Sequence, residues 1–180
     1  MQATAFASRP PLDTFSLAQA CRNDLGEMLR KPDAVEMLAE RGVTLGDVRG
    51  LTQSHYEALY AVGKSLCKQL EFEQALPIAL DLVANEGSDP RFFFLAGTCL
   101  LHLRDRKNAV LMFEKCLEGD PGHAVAMYRI GECMAAFGQD QEAERAFEAV
   151  VDLGRGQEKY SKLQRMAQVR LDGMKNKDAS

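Results

Sequence analysis

The chain has 180 residues, 26 Asp and Glu against 22 Lys and Arg, and 46% hydrophobic residues. Those values fit one soluble domain and exclude both a pair of large domains and a disordered chain. A formal net charge of -4 gives no global attraction for phosphate backbones or anionic lipid, both of which need clustered Lys and Arg.

The first thirty residues contain no basic stretch followed by an apolar core, and no later stretch approaches the roughly 20 apolar residues of a membrane span. A cytoplasmic location is expected. Residues 1–14, closed by Pro10-Pro11, read as a disordered tail. Residues 15–52 read as an N-terminal helical segment. Within it Leu17, Ala18, Cys21, Leu25, Met28 and Leu29 form an amphipathic stripe stopped by Pro32, and a short helix over 32–41 ends at Gly42 as a left-handed cap. Such a stripe must be buried, either on the neighbouring fold or against a second subunit.

From residue 53 onward the chain repeats. Gly63, Gly97 and Gly131 are spaced by 34 residues, and Ala75, Ala109 and Ala143 keep the same spacing twelve residues later. That period is the one of the tetratricopeptide repeat, in which two antiparallel helices approach closely and require small residues. The repeats run 56–89, 90–123 and 124–157. Apolar residues fill position 4 (Leu59, Phe93, Met127), position 7 (Val62, Ala96, Ile130) and position 11 (Leu66, Leu100, Met134). Position 24 holds Ala79, Phe113 and Phe147, so the first repeat is degenerate there. Helices are predicted over 53–69, 72–85, 90–103, 106–118, 124–137 and 140–153, broken by Gly and Pro. The last pair needs a cap, supplied by a half-apolar helix over 157–174, after which the tail frays. The fold class is all-α: a tetratricopeptide-repeat solenoid of three helix pairs over 53–157, preceded by N-terminal helices and closed by a C-terminal capping helix and frayed tail over 158–180.

No catalytic constellation stands out. His55, His102 and His123 fall in different repeats without an acid or nucleophile partner, and the glycines form no phosphate-cradling loop. Cys99 and His102 would give two metal ligands on one helical turn, where zinc needs three or four. The five cysteines, Cys21, Cys67, Cys99, Cys116 and Cys133, match no zinc or redox spacing and read as reduced, mostly buried thiols. Neither enzyme activity nor a cofactor or metal is expected.

Function is therefore expected on the concave surface, lined by repeat positions 2, 5, 9, 12 and 13. These include Glu57, Tyr60, Lys64, Cys67 and Lys68; Arg91, Phe94, Thr98, Leu101 and His102; and Val125, Tyr128, Glu132, Ala135 and Ala136. Position 5 is aromatic in every repeat, so Tyr60, Phe94 and Tyr128 are predicted to form an exposed ladder that binds peptide. Three apolar anchors give about 5 to 9 kcal/mol before ordering costs, which suits an extended segment of a larger protein.

Several stretches resemble the class II chaperones of bacterial type III secretion systems: Thr44-Leu-Gly-Asp-Val-Arg-Gly50 leading into Tyr56-Glu-Ala-Leu-Tyr60, then Asp89-Pro-Arg-Phe-Phe-Phe94 with Gly97-Thr-Cys99, and Gly131-Glu-Cys133. The resemblance covers roughly residues 36–171. It implies a cytoplasmic bacterial chaperone that binds hydrophobic translocator proteins through short extended segments of Pro-x-Leu-x-x-Pro type. The matching groove positions are Tyr60, Lys64, Phe94, Thr98, Leu101 and Tyr128. It further implies a homodimer through the N-terminal region, in agreement with the stripe of Leu17, Cys21, Leu25, Met28 and Leu29. Neither nucleic acid nor membrane is expected as a partner. The alternatives are a generic repeat adaptor for other proteins, in which the Lys/Asn set of a carboxylate-clamp repeat is missing, and a co-regulator of a transcription factor.

Overall fold

The computed structural model describes residues 44–178, and the expected disordered tail, the helices before residue 43 and the dimerisation residues Leu17, Cys21, Leu25, Met28 and Leu29 lie outside these residues. Among the described residues there are eight α-helices: α1 (Leu45–Val48), α2 (Gln53–Lys68), α3 (Phe72–Asn85), α4 (Pro90–His102), α5 (Arg106–Gly119), α6 (Ala124–Ala136), α7 (Asp140–Gly154) and α8 (Ser161–Asp178). A short 3-10 turn, Glu158–Tyr160, precedes α8. The six predicted repeat helices fall within one residue of these bounds at either end.

Polar caps start several of them. Asp89 accepts from the Arg91 N–H at 2.9 Å with Pro90 in the first turn, Asp105 accepts from the Asn108 N–H at 3.2 Å, and His123 Nδ1 accepts from the Ala126 N–H at 3.1 Å. The turn inside each repeat also obeys the period. Leu70, Arg104 and Gly138, spaced by 34 residues, all adopt left-handed φ values of 64°, 69° and 74°. In each the following N–H reaches back into the first helix, Glu71 to Leu66 O at 2.9 Å, Asp105 to Leu100 O at 2.9 Å and Gln139 to Met134 O at 3.0 Å. This is one helix-ending motif used three times, with glycine present only in the last.

The core lies between the paired helices. Ala75, Ala109 and Ala143 are fully buried, as are Phe92, Phe113 and Phe147, each aromatic side chain contributing about 1.5 to 3 kcal/mol by burial. A Cβ on Gly97 would stand 2.7 Å from Cε1 of Phe113, and one on Gly131 would stand 2.8 Å from Cε1 of Phe147. The close approach expected at these glycines is thus an approach to the position-24 ring of the same repeat. Where that ring is replaced by Ala79, the space beside Gly63 is taken by Leu95 of the following repeat, 2.8 Å from the notional Cβ.

Two segments flank the repeats. Residues 44–52 pack on the first repeat. Thr44 and Asp47 close a capping box on α1. Gly46 leaves room for the Tyr56 ring, and Arg49 donates to Asp81 at 3.2 Å and to the buried Asn85 at 2.9 Å on α3. At the other end α8 continues through Lys175 to Asp178 where fraying was expected. Ala167 and Leu171 of α8 are buried against the third repeat beside Val150 and Phe147, while Met166 and Val169 face outward.

Candidate functional site: a concave groove

Tyr60 of α2 is half-buried, its ring 5.7 Å from the Phe92 centroid. Two cations flank it: Lys64 Nζ lies 5.2 Å and the Arg91 guanidinium 5.1 Å from its centroid. Burial pushes the Tyr60 phenol above its ordinary range, with Arg91 opposing the shift. Arg91 in turn bridges two repeats, binding Glu57 at 2.7 Å and Asp89 at 2.6 Å. Its hydrogen bond holds the Glu57 carboxylate below the usual range. The pair joins position 2 of one repeat to position 2 of the next, and both residues remain close to half exposed.

Phe94 of α4 is half-buried and leans on Phe113 at 5.8 Å and on the His123 ring at 4.4 Å. One turn further, the Thr98 hydroxyl donates to the Phe94 carbonyl at 2.8 Å, so this expected groove contact is committed within its own helix. Leu101 stays half-buried and His102 stacks on Phe72 of the preceding repeat at 4.0 Å. Cys67 is half-buried beside the buried Cys99, with 3.4 Å between the two Sγ atoms. The described cysteines are free thiols, three of the four buried.

The third rung of the expected ladder is not open. Tyr128 is 2% exposed, its ring 5.4 Å from that of Phe147, and it belongs to the core closed by α8. Arg170 of α8 interacts with Tyr128 and binds Glu132 at 3.0 Å, and Arg129 binds the other oxygen of Glu132 at 2.6 Å. The expectation of three exposed rings is therefore corrected to two half-buried rings, Tyr60 and Phe94, and a third that is covered. Periodicity placed Tyr128 on the correct helix face, but only the packing of the capping helix decides its exposure.

Periodicity also missed a set of basic side chains. Arg104, Arg106, Arg129 and Arg170 line a cavity of about 580 Å³ together with Leu101, His102, Glu132, Ala135 and Ala136. Only Arg129 belongs to a first helix, and it stands at position 6, outside the concave set. Arg104 and Arg106 belong to a turn and the start of a second helix. A closer reading of the Arg-x-Arg run after His102 was the available signal. A second concavity, of about 400 Å³, is lined by Tyr60, Lys64, Lys68 and Arg91 with Glu57.

Among the described residues, no group of three or more His, Cys, Asp and Glu is arranged to hold a metal ion, and no helix is long and apolar enough to cross a membrane.

Paired antiparallel helices, a 34-residue period and a concave strip of rings and cations define a tetratricopeptide-repeat stack. The Tetratricopeptide repeat family model matches residues 100–167. Among solved structures, the fold is similar to a T3SS complex from Aeromonas hydrophila, with TM-score 0.74 and 22% identity over 82% of this chain and 98% of that one. It is similar to the type III secretion translocator chaperone SycD of Yersinia enterocolitica, with TM-score 0.68 and 20% identity over 72% and 98%. PcrH, a Pseudomonas aeruginosa protein solved in complex with the chaperone binding region of PopD, gives TM-score 0.69 and 22% identity over 72% and 97%. No curated protein matches the sequence.

Proposed function

We propose that this chain is a cytoplasmic export chaperone of a bacterial type III secretion system, one that holds extended segments of hydrophobic translocator proteins in its concave groove. One observation carries the reading. Half-buried Tyr60, Phe94 and Leu101 give an apolar strip along the concave side, edged by the Lys64 and Arg91 cations, in a fold shared with PcrH, which was solved with the chaperone binding region of PopD. A protein that inserts into membranes exposes apolar segments beforehand, and a groove that covers them prevents aggregation. The groove residues Tyr60, Lys64, Cys67, Arg91, Phe94, Thr98, Leu101 and Glu132 are assigned to this task, with Thr98 acting through its methyl group. Tyr128, packed on Phe147 under the capping helix, serves that end of the groove from the core. The reading includes a homodimer through Leu17, Cys21, Leu25, Met28 and Leu29 and no enzymatic activity.

Co-expression with a candidate hydrophobic translocator from the same source tests this. A soluble complex is expected with the wild type and a weakened one with Tyr60→Ala, whose fold is checked by circular dichroism. Phe94→Ala is the less clean variant, because its ring also packs on Phe113. If the translocator stays insoluble with the wild type present, the chaperone reading is wrong and a generic adaptor of folded partners replaces it.

A further inference from the structure

The chain is acidic overall, yet the cavity at the far end of the concave side gathers four arginines around one carboxylate. Glu132 is already held from two sides, by Arg129 at 2.6 Å and Arg170 at 3.0 Å. Among the described residues, neither Arg104 nor Arg106 forms an ion pair. The cavity therefore carries guanidinium charge well beyond what its single acid neutralises. Its walls include Leu101, Ala135 and Ala136, positions continuous with the apolar strip. Arg104 also occupies a left-handed position, φ 69°, that the next repeat gives to Gly138. An arginine is held there against a backbone preference of about 1 kcal/mol or more.

Guanidinium groups bind carboxylates through paired N–H donors, and the interaction strengthens where walls exclude water. We infer that the cavity lined by Arg104, Arg106, Arg129 and Arg170 is a carboxylate-binding site that takes an Asp or Glu side chain of the bound segment, next to its apolar anchors. This rests on the groove reading above and adds a rule of selection: among apolar segments, those followed or preceded by acid are bound first. The site differs from a Lys/Asn carboxylate clamp in using arginines from a turn, the second and third repeats and the capping helix. The carboxylate assigned to it is a side chain within the bound segment, where the neighbouring Leu101 wall meets the apolar anchors, and not a chain end.

Fluorescence anisotropy with labelled peptides tests it. The probes share a Pro-x-Leu-x-x-Pro core, are blocked at both termini, and carry two Glu, two Gln or two Lys residues on one side or the other. The Glu probe on one side should bind about tenfold tighter than the Gln probe at low salt, with the advantage shrinking as salt is raised. In Arg104→Gly/Arg106→Gln the advantage should fall to about twofold or less while the affinity for the Gln probe is kept. The glycine relaxes the left-handed turn, so loss of preference in this variant is not loss of fold, and circular dichroism verifies that. Blocked termini exclude a contribution from a free C-terminal carboxylate. Equal binding of Glu and Gln probes, tighter binding of the Lys probe, or an unchanged preference in the double variant overturns the site while leaving the groove intact. Failure of every probe on the wild type overturns the groove reading and this inference with it.

Discussion

The Sγ atoms of Cys67 and Cys99 stand 3.4 Å apart across the first and second repeats, one thiol half-buried on the groove side and the other buried. The contact divides their chemistry. The Cys99 hydrogen bond lowers the Cys67 thiol below its ordinary value, while the same contact and burial push Cys99 up. Cys67 is thus the member that ionises first. Its alkylation by iodoacetamide, followed by peptide mass spectrometry in a Cys21→Ser background, should reach half its maximal rate at a lower pH than that of an ordinary exposed thiol. Cys99→Ala removes the donor, so the midpoint should move upward. A midpoint unaffected by that change would show that the thiol contact is not what activates Cys67.

The ring of Phe113 occupies the space where a side chain on Gly97 would lie. Gly97→Ala should destabilise the protein by about 1 to 3 kcal/mol through overpacking, and Gly97→Leu should unfold the middle repeat. Phe113→Leu, which withdraws the ring edge, should recover part of the loss in Gly97→Ala. Urea denaturation of the two single variants and the double variant measures the coupling, and strictly additive losses would refute the contact.

The three turns at Leu70, Arg104 and Gly138 share one backbone conformation with different side chains. Leu70→Gly should raise stability by about 0.5 to 1 kcal/mol, and Gly138→Ala should lower it by about 1 kcal/mol. Leu70 is 72% exposed, so its removal forfeits little burial. Thermal melts of the two variants should move in opposite directions.

His102, stacked on Phe72, titrates below its ordinary value, chiefly through burial and then through the Arg129 charge. NMR titration should place its midpoint below about 6.5, and Arg129→Gln should raise it. The sign for stability follows. Above about pH 6.5 the ring is neutral in both states; as pH falls, the unfolded chain takes the proton first and stability declines until the folded ring is protonated too. A midpoint above that value would exclude this assignment.

The period of 34 residues made the helices and their fully buried alanines legible, because small residues at close approaches and glycine punctuation are local signals. What escaped was decided between distant segments. Nothing local marks Leu70 and Arg104 as left-handed; the turn motif imposes that conformation. The exposure of Tyr128 depended on where α8 packs, 38 residues beyond Glu132, with Arg170 as the contact. The four-arginine cavity likewise joins a turn, two repeats and the cap. Tyr60 and Phe94 were readable as ring positions, but their cation and ring neighbours were not.

The three repeats are not equal in how they are completed. Gly97 and Gly131 face rings from their own repeats, whereas Gly63 faces Leu95, which the second repeat supplies. The second and third repeats hold their own keystones; the first borrows one. The first repeat thus takes part of its packing from the second, whose Phe92, Leu95, Ala96 and Cys99 lie in one buried cluster with its Tyr56, Ala75, Ile78 and Leu82. A change that unfolds the second repeat should therefore loosen the Tyr60 end of the groove with it, although Tyr60 itself belongs to the first.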